Sequence, residues 1–303
     1  MKKIALVYTL VFTGLVGFAQ QDAQYTQYMY NTININPAYA GSRGVMSIFA
    51  LHRTQWVGLD GAPVTNAVSI NTPLNNSNLG LGVSLVNDKI GPTDENTLSV
   101  DLSYTIPTSE TFKLSFGIKG TANLFDVDAS VLNPETSGDL ALTNYNNKFT
   151  PNIGAGLYLH SDKAYIGLSV PNFIETNRYD DNEIAIFKEK INYYLIAGYV
   201  FDLDYNLKFK PALLTKLVEG APLQVDVSGN FLFNDKFSAG LAYRWSAAVS
   251  AMVGFQVSDA IYIGYGYDLA TTKLNNYNSG SHEIFFRYEL FKNNKRITTP
   301  RFF

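Results

Sequence analysis

Residues 281–291 (SHEIFFRYELF) alternate in character. Ile284, Phe286, Tyr288 and Leu290 fall on one face of an extended chain, and Glu283, Phe285, Arg287 and Glu289 on the other. Successive strand side chains point to opposite faces, so this is an amphipathic strand. The two-residue period recurs along the chain. Val45, Ser47, Phe49 and Leu51 make one row, and Val64, Asn66, Val68 and Ile70 the next. Leu79, Leu81, Val83 and Leu85 oppose Gly80, Gly82 and Ser84, and Leu98, Val100, Leu102 and Tyr104 oppose Ser99, Asp101 and Ser103. Similar rows run through residues 112–119, 153–159, 166–170, 193–201, 208–217, 223–233, 237–245, 249–257 and 261–267. The pattern predicts about fourteen strands, each close to the length that crosses a bilayer when tilted.

The connections sharpen the prediction. Every second one is a tight polar turn, at 73–77, 107–110, 161–162, 202–204, 234–235 and 258–259. Most of the others are longer, at 57–63, 88–94, 126–148, 171–190 and 268–280, with 218–221 and 246–247 short. Short turns at one rim and long loops at the other is the arrangement of an outer-membrane barrel, with the short rim periplasmic. An even strand count then places both ends of the strand series on the periplasmic side. The fold class expected is all-β, a single antiparallel transmembrane β-barrel of about 14 strands, with residues 281–291 pairing with residues 45–51 to close it. Lys113, Lys119, Asp101, Lys208, Lys210, Lys216, Asp226, Arg244 and Arg287 share the opposite face from the apolar rows. A charge facing lipid near mid-bilayer costs about 2–4 kcal/mol, so these side chains belong in the lumen and the apolar rows outside. Trp56, Tyr104, Tyr199, Tyr243, Trp245 and Tyr267 are expected at the membrane interfaces.

Composition removes alternatives. The 303 residues contain no cysteine, which excludes disulfides, thiolate metal sites and a lipidated N-terminal cysteine. Charged residues make up only 16% and the net charge is −3, which gives no footing for nucleic acid. Twenty Tyr and twenty Phe favour strands. Lys2 and Lys3, the apolar run 4–16 and Gly17-Phe18-Ala19 read as a signal peptide over 1–19, too short to span a bilayer. The segment 20–43 then precedes the barrel, 44–292 forms it, and 293–303 is a periplasmic tail. Two readings of 20–43 stand side by side: an extension packed on the barrel, or a plug or partner-docking segment.

Chemistry is sparse. His52, His160 and His282 are the three histidines, and the adjacent Ser281 and His282 face opposite ways on a strand, so they make no nucleophile–base pair. No His/Asp/Glu cluster has metal-ligand spacing, and Asp180-Asp181 reads as a solvated loop pair, with weak cation binding as the alternative. Gly264 and Gly266 read as glycines that ease strand curvature. The expectation is a non-enzyme without cofactor.

Several segments, taken in order, resemble one family: residues 22–42 with QYMYN and NPAYAGS, 53–65 (RTQWVGLDGAPVT), 79–92 (LGLGVSLVNDKIGP), 167–171 (GLSVP), 277–284 (YNSGSHEI) and the terminal PRFF. The sequence is similar to the PorP/SprF family of the type IX secretion and gliding machinery of Bacteroidota. The resemblance implies an outer-membrane barrel that anchors or helps export a large cell-surface adhesin, with secretion components and periplasmic lipoproteins as further partners. It carries no catalytic residues. The matched positions offered as partner contacts are Arg53, Gln55, Trp56, Gly61, Pro63, Asn87, Asp88, Lys89, His282, Glu283, Arg301, Phe302 and Phe303. Asn87–Lys89 and Gly61–Pro63 are expected in outer-loop turns. The alternative is a diffusion porin or a channel for hydrophobic substrates.

Overall fold

The computed structural model describes residues 26–74, 77–128, 130, 145–177 and 188–290. The segments proposed as signal peptide and C-terminal tail, with Arg301, Phe302 and Phe303, lie outside them, as do Asp180 and Asp181.

The described strands are β1 (Met46–Thr54), β2 (Val64–Pro73), β3 (Leu79–Ile90), β4 (Thr93–Pro107), β5 (Lys113–Val127), β6 (Tyr145–His160), β7 (Ala164–Val170), β8 (Thr176–Asn177), β9 (Lys188–Glu189), β10 (Asn192–Tyr199), β11 (Phe201–Asp204), β12 (Leu207–Val218), β13 (Gln224–Phe233), β14 (Phe237–Arg244), β15 (Ala248–Gln256), β16 (Ile261–Ala270) and β17 (Ser281–Leu290). Each pairs antiparallel with its neighbour, and β7 joins β10, which joins β12. The β8–β9 hairpin stands apart, and β11 prolongs β10 down the lower part of β12. β1 pairs with β17 from Met46 opposite Leu290 to Thr54 opposite His282. The result is a closed fourteen-stranded barrel with one extra strand. Closure leaves no ladder edge at the seam, and a backbone in lipid has no water to satisfy it.

The strand faces divide as lipid and lumen require. Ile118, Ile153, Leu168, Leu213 and Ile284 point outward, and Ile118 is 61% exposed at the middle of β5. Asp101, Lys119, Lys210, Lys216, Asp226, Glu283 and Arg287 are buried on the inner face. Tyr104, Tyr199, Tyr243 and Trp245 stand exposed near strand ends, whereas Trp56 sits in the β1–β2 loop with a left-handed φ of 46°.

Several boundaries differ from the sequence reading, and residues 126–127 and 145–148 of the expected loop 126–148 belong to β5 and β6. Asn87, Asp88 and Lys89 belong to β3, and the expected long loop 88–94 is a reversal at Gly91-Pro92. The polar side chains pair across strands instead: Asn87 Nδ2 donates to Asp94 Oδ1 (2.7 Å) and Asn96 Oδ1 (3.1 Å), and Thr65 Oγ1 to Asp88 Oδ1 (2.6 Å). Polarity here marks height near the rim rather than a chain reversal. Asp202–Asp204 are paired in β11, and the turn follows at Tyr205-Asn206. Asp268 is a buried residue of β16, so the last loop begins at Thr271.

The first apolar row also faces the wrong way for a lipid contact. Ser47, Phe49 and Leu51 are buried on the inner side of β1, while Met46 and Ile48 lie on the other. Phe49 stacks on Phe285 of β17 with centroids 5.2 Å apart. Apolar inner residues are tolerable only where the lumen is packed rather than wet.

The lipid-facing assignment predicts that Ile118→Arg lowers the stability of the membrane-inserted barrel by about 2–4 kcal/mol. Ser109→Arg, in a short turn, leaves it unchanged. Urea unfolding from vesicles reads both.

Candidate functional site

Among the described residues, charged and aromatic side chains converge in the lumen, and a segment of the chain itself packs there. Residues 26–43 run through it as three short 3-10 turns, Tyr28–Tyr30, Thr32–Asn34 and Pro37–Tyr39. Local chemistry sets the last of these. Pro37 occupies its first turn, where no N–H is needed, and the Asn36 side chain accepts from the Ala38 N–H at 3.0 Å. Segments this short hold no structure in water by themselves. Their order comes from the wall, against which Tyr28, Met29, Ile33, Ala38 and Tyr39 are all buried.

At the long-loop end, Glu283 of β17 grips the segment by its backbone. One carboxylate oxygen accepts the Thr26 N–H and the other the Gln27 N–H, both at 3.0 Å. Arg53 of β1 braces the same point: its guanidinium lies 3.1 Å from Glu283, 2.7 Å from Asp268 of β16 and 2.8 Å from Thr26 Oγ1. Glu283 is 0% exposed and Arg53 2%. Buried charges need partners, and the clamp pairs its one cation with two carboxylates, while Arg53 Nε and Asp268 Oδ1 make no hydrogen bond.

Lower down, the Tyr30 ring packs on Phe285 (4.8 Å) and Tyr262 (5.5 Å). Lys210 Nζ lies 5.2 Å from its centroid and the Arg287 guanidinium 5.7 Å, so two cations flank one ring face system. Lys119 Nζ donates to the Ile33 carbonyl (3.2 Å) and pairs with Asp101 (3.2 Å). Ser69 Oγ donates to Asn31 Oδ1 (3.1 Å), and Ser103 Oγ to the Ala40 carbonyl (2.7 Å). At the short-turn end, Arg43 pairs with Glu289.

Glycines shape the wall for this occupant. A Cβ at Gly117 would collide with the Ala38 backbone nitrogen, one at Gly80 with the Ala40 carbonyl, and one at Gly156 with the Asn36 side chain. Gly264 leaves room for the Phe285 ring, and a Cβ at Gly266 would come within 2.9 Å of the Gln27 side chain, so both serve close approach in addition to any curvature.

The sequence candidates therefore separate. Arg53 and Glu283 meet inside the lumen, where no outside partner reaches them while the segment is in place. His282 faces outward, with Nδ1 2.6 Å from the Tyr265 hydroxyl. Gln55 and Trp56 are half-buried in the β1–β2 loop; the Gln55 N–H donates to the Pro63 carbonyl and the Trp56 N–H to Ser281 Oγ. Gly61 is exposed there and Pro63 buried, while Lys89 is exposed on β3 beside half-buried Asn87 and Asp88. Among the described residues no cluster of His, Asp and Glu has the makings of a metal site. Sequence reasoning missed the ring cradle of Lys210, Arg287, Tyr262 and Phe285 and the clamp role of Asp268. One signal was available: residues 23–42 carry no charge at all while the strands' inner faces carry many.

The model of the type IX secretion system membrane protein family PorP/SprF matches residues 17–288. The chain belongs to the PorP/SprF family. Family membership ties it to the secretion machinery of the outer membrane. Solved barrels share the fold: the CymD monoaromatic hydrocarbon channel matches with a TM-score of 0.50 at 13% identity, over 92% of this chain and 97% of that one. The toluene transporter TodX of P. putida gives 0.48 at 9% identity, over 92% and 100%. The KdgM porin gives 0.40 at 13%, over 81% and 99%. No curated protein matches the sequence significantly.

Two substitutions test the site of this PorP/SprF protein. Arg53→Leu strips the cation from two buried carboxylates and is expected to destabilise the barrel by about 3–5 kcal/mol in urea unfolding, the usual cost of removing one partner of a buried pair. Gly117→Val drives a side chain into the Ala38 backbone. We expect a shift in heat-modifiable gel migration and chymotrypsin cleavage within residues 26–43, whereas Gly120→Val, with open space around its Cβ, behaves as the parent.

Proposed function

We propose that this protein is a non-enzymatic docking barrel of the type IX secretion apparatus, which anchors or assists export of a large cell-surface adhesin rather than conducting solutes. Family membership supports the secretion role. The observation that carries the distinction from a pore is the occupied lumen: residues 26–43 are clamped at one end by Glu283 and Arg53 and at the other by Arg43 with Glu289. A polypeptide cannot share that space, so an adhesin docks at a mouth of the barrel or against its loops. Trp56, Gly61, Lys89 and His282 are the matched positions left available for such contacts. The segment 293–303, with Arg301, Phe302 and Phe303, is assigned to periplasmic partners of the apparatus.

Co-purification from outer membranes tests the reading. It should recover type IX components or a large surface protein whose display fails in a deletion strain, and the purified barrel should be silent in planar bilayers. Steady open-channel conductance with normal adhesin display would support the porin reading instead. Deleting residues 293–303 should leave the barrel inserted and weaken recovery of periplasmic components. If the truncated chain fails to insert, the tail is an assembly signal.

A further inference from the structure

The outer wall shows where lipid ends on one side of the barrel. His52, Asn66, Asn87 and Asn96 are direct partners on the neighbouring strands β1 to β4, and all face outward. Their side chains join in a line: His52 Nδ1 lies 2.8 Å from Asn66 Oδ1, Asn66 Nδ2 donates to Asn87 Oδ1 (3.4 Å) and Asn87 Nδ2 to Asn96 Oδ1 (3.1 Å). Below the line the same faces are apolar, with Val68, Val83, Leu85 and Leu98 exposed. A polar row above an apolar band marks the outer margin of the bilayer.

The row continues to β5 and β6, where Asn96 is opposite Leu124 and Leu124 opposite Phe149. Here it turns apolar again, with Leu124 39% and Phe149 59% exposed. Strand tilt lifts this end. Followed the other way from His52, the row falls through Ile284, Tyr265, Val253, Ala239 and Phe231 to Phe209, near the short-turn end of β12. From His52 to Phe149 it therefore climbs toward the long-loop rim. Five inter-strand steps of about 4.8 Å at a tilt of about 40° raise it by about 15 Å. Leu124 and Phe149 thus stand beyond the lipid, on strands that outreach the rest of the wall.

Beside them the sheet has an edge. β6 pairs with β5 from His160 to Tyr145, but with β7 only from His160 to Ala155. The chain leaving β7 adds a bond from the Phe173 N–H to the Ile153 carbonyl (2.8 Å), and the Asn152 side chain holds both backbone groups of Ile174 (2.8 and 2.9 Å). Among the described residues no strand flanks β6 on that side above Ile153. Backbone groups two residues apart in a strand point the same way, so those of Pro151 and Phe149 face away from β5, as the Ile153 carbonyl does. Pro151 is itself a mark of an edge: proline is confined to strand positions where no ladder partner needs its missing N–H. Phe149 N–H, its carbonyl and the Pro151 carbonyl are the pairing groups this edge presents.

We propose that the upper part of β6, residues 148–152 with the apolar step of Leu124 and Phe149, is a strand-addition site for an extended segment of an extracellular polypeptide. Backbone pairing supplies attachment, and an apolar side chain of the segment covers Leu124 and Phe149. Height excludes lipid as the occupant. Symmetry excludes a second copy: two barrels in one membrane share their orientation, so their β6 strands meet running the same way and crossed by twice the tilt. Taking the occupant to be the surface adhesin rests on the docking role proposed above; the edge does not depend on it.

The photoreactive amino acid p-benzoylphenylalanine, placed at position 124 and irradiated in intact cells, is expected to join an extended stretch of one exported polypeptide, identified by mass spectrometry. Phe149→Pro removes the N–H on the free side alone, so heat-modifiable migration stays unchanged while cross-linking falls about tenfold, the effect of one or two lost backbone hydrogen bonds. Phe149→Lys keeps the backbone, charges the edge and should lower the yield likewise. The same photoreactive group at position 253, outward within the apolar band of β15, should join no polypeptide. Position 124 joining only lipid or nothing overturns the proposal, as does a yield unchanged in both Phe149 variants. An adhesin that co-purifies without touching position 124 removes the edge site and leaves the docking role standing. A cross-link to a different exported polypeptide, lost in both variants, upholds the edge site and removes the adhesin reading.

Discussion

The structure depends on satisfying a charged inner wall where bulk water has little room. Fourteen strands with apolar outer rows must carry their remaining residues inside, and here those include Arg53, Lys119, Lys210, Arg287, Asp101, Asp268 and Glu283, all buried. An unpaired charge in such a place costs far more than folding can supply. Part of the wall pairs with itself, as Lys119 does with Asp101 and Arg53 with Asp268. The rest is completed by a guest whose one charge, Arg43, pairs with Glu289 and which offers backbone N–H groups to Glu283, a carbonyl to Lys119 and a ring to Lys210 and Arg287. A segment uncharged along residues 26–42 fits a wall of mixed sign better than a highly charged one would.

The guest also joins closure of the barrel to filling of the lumen. Its main anchors, Glu283, Phe285, Arg287 and Glu289, sit on the inner face of the last strand, and β1 follows the guest directly in sequence. The β1–β17 ladder and the docked segment thus share one wall. Threading a segment through a sealed barrel is far harder than closing strands around it, so docking and seam formation are best regarded as one cooperative step. A barrel fold by itself does not decide function.

Much of the fold was legible because one physical rule repeats. Alternation fixed the strands and their outward rows from β2 onward, and the turn lengths separated the rims. The rule failed where two media were not lipid and water. At β1, Phe49 and Leu51 look lipid-facing but pack inward on Phe285 and the guest, a contact that no local pattern reveals. At Asn87–Lys89 polar residues read as a loop, although they complete a cross-strand hydrogen-bond ladder with Asp94 and Asn96. Arg53 and Glu283 were recognisable as matched family positions, yet their meeting inside the lumen depends on closure between residues 230 positions apart. The inward glycines of β3, β5 and β6 were visible, but their purpose appears only once Ala38, Ala40 and Asn36 lie against them.

The central claim is that residues 26–43 are a permanent part of the barrel's interior. Amide hydrogen exchange on the protein in native outer-membrane vesicles tests it most directly. The account predicts that the amides of Thr26, Gln27, Tyr30, Asn31 and Ala38, each hydrogen-bonded in the lumen, exchange as slowly as those of β16 and β17. Exchange of the segment at the rate of the exposed loop 271–280, with the strands still protected, would contradict it.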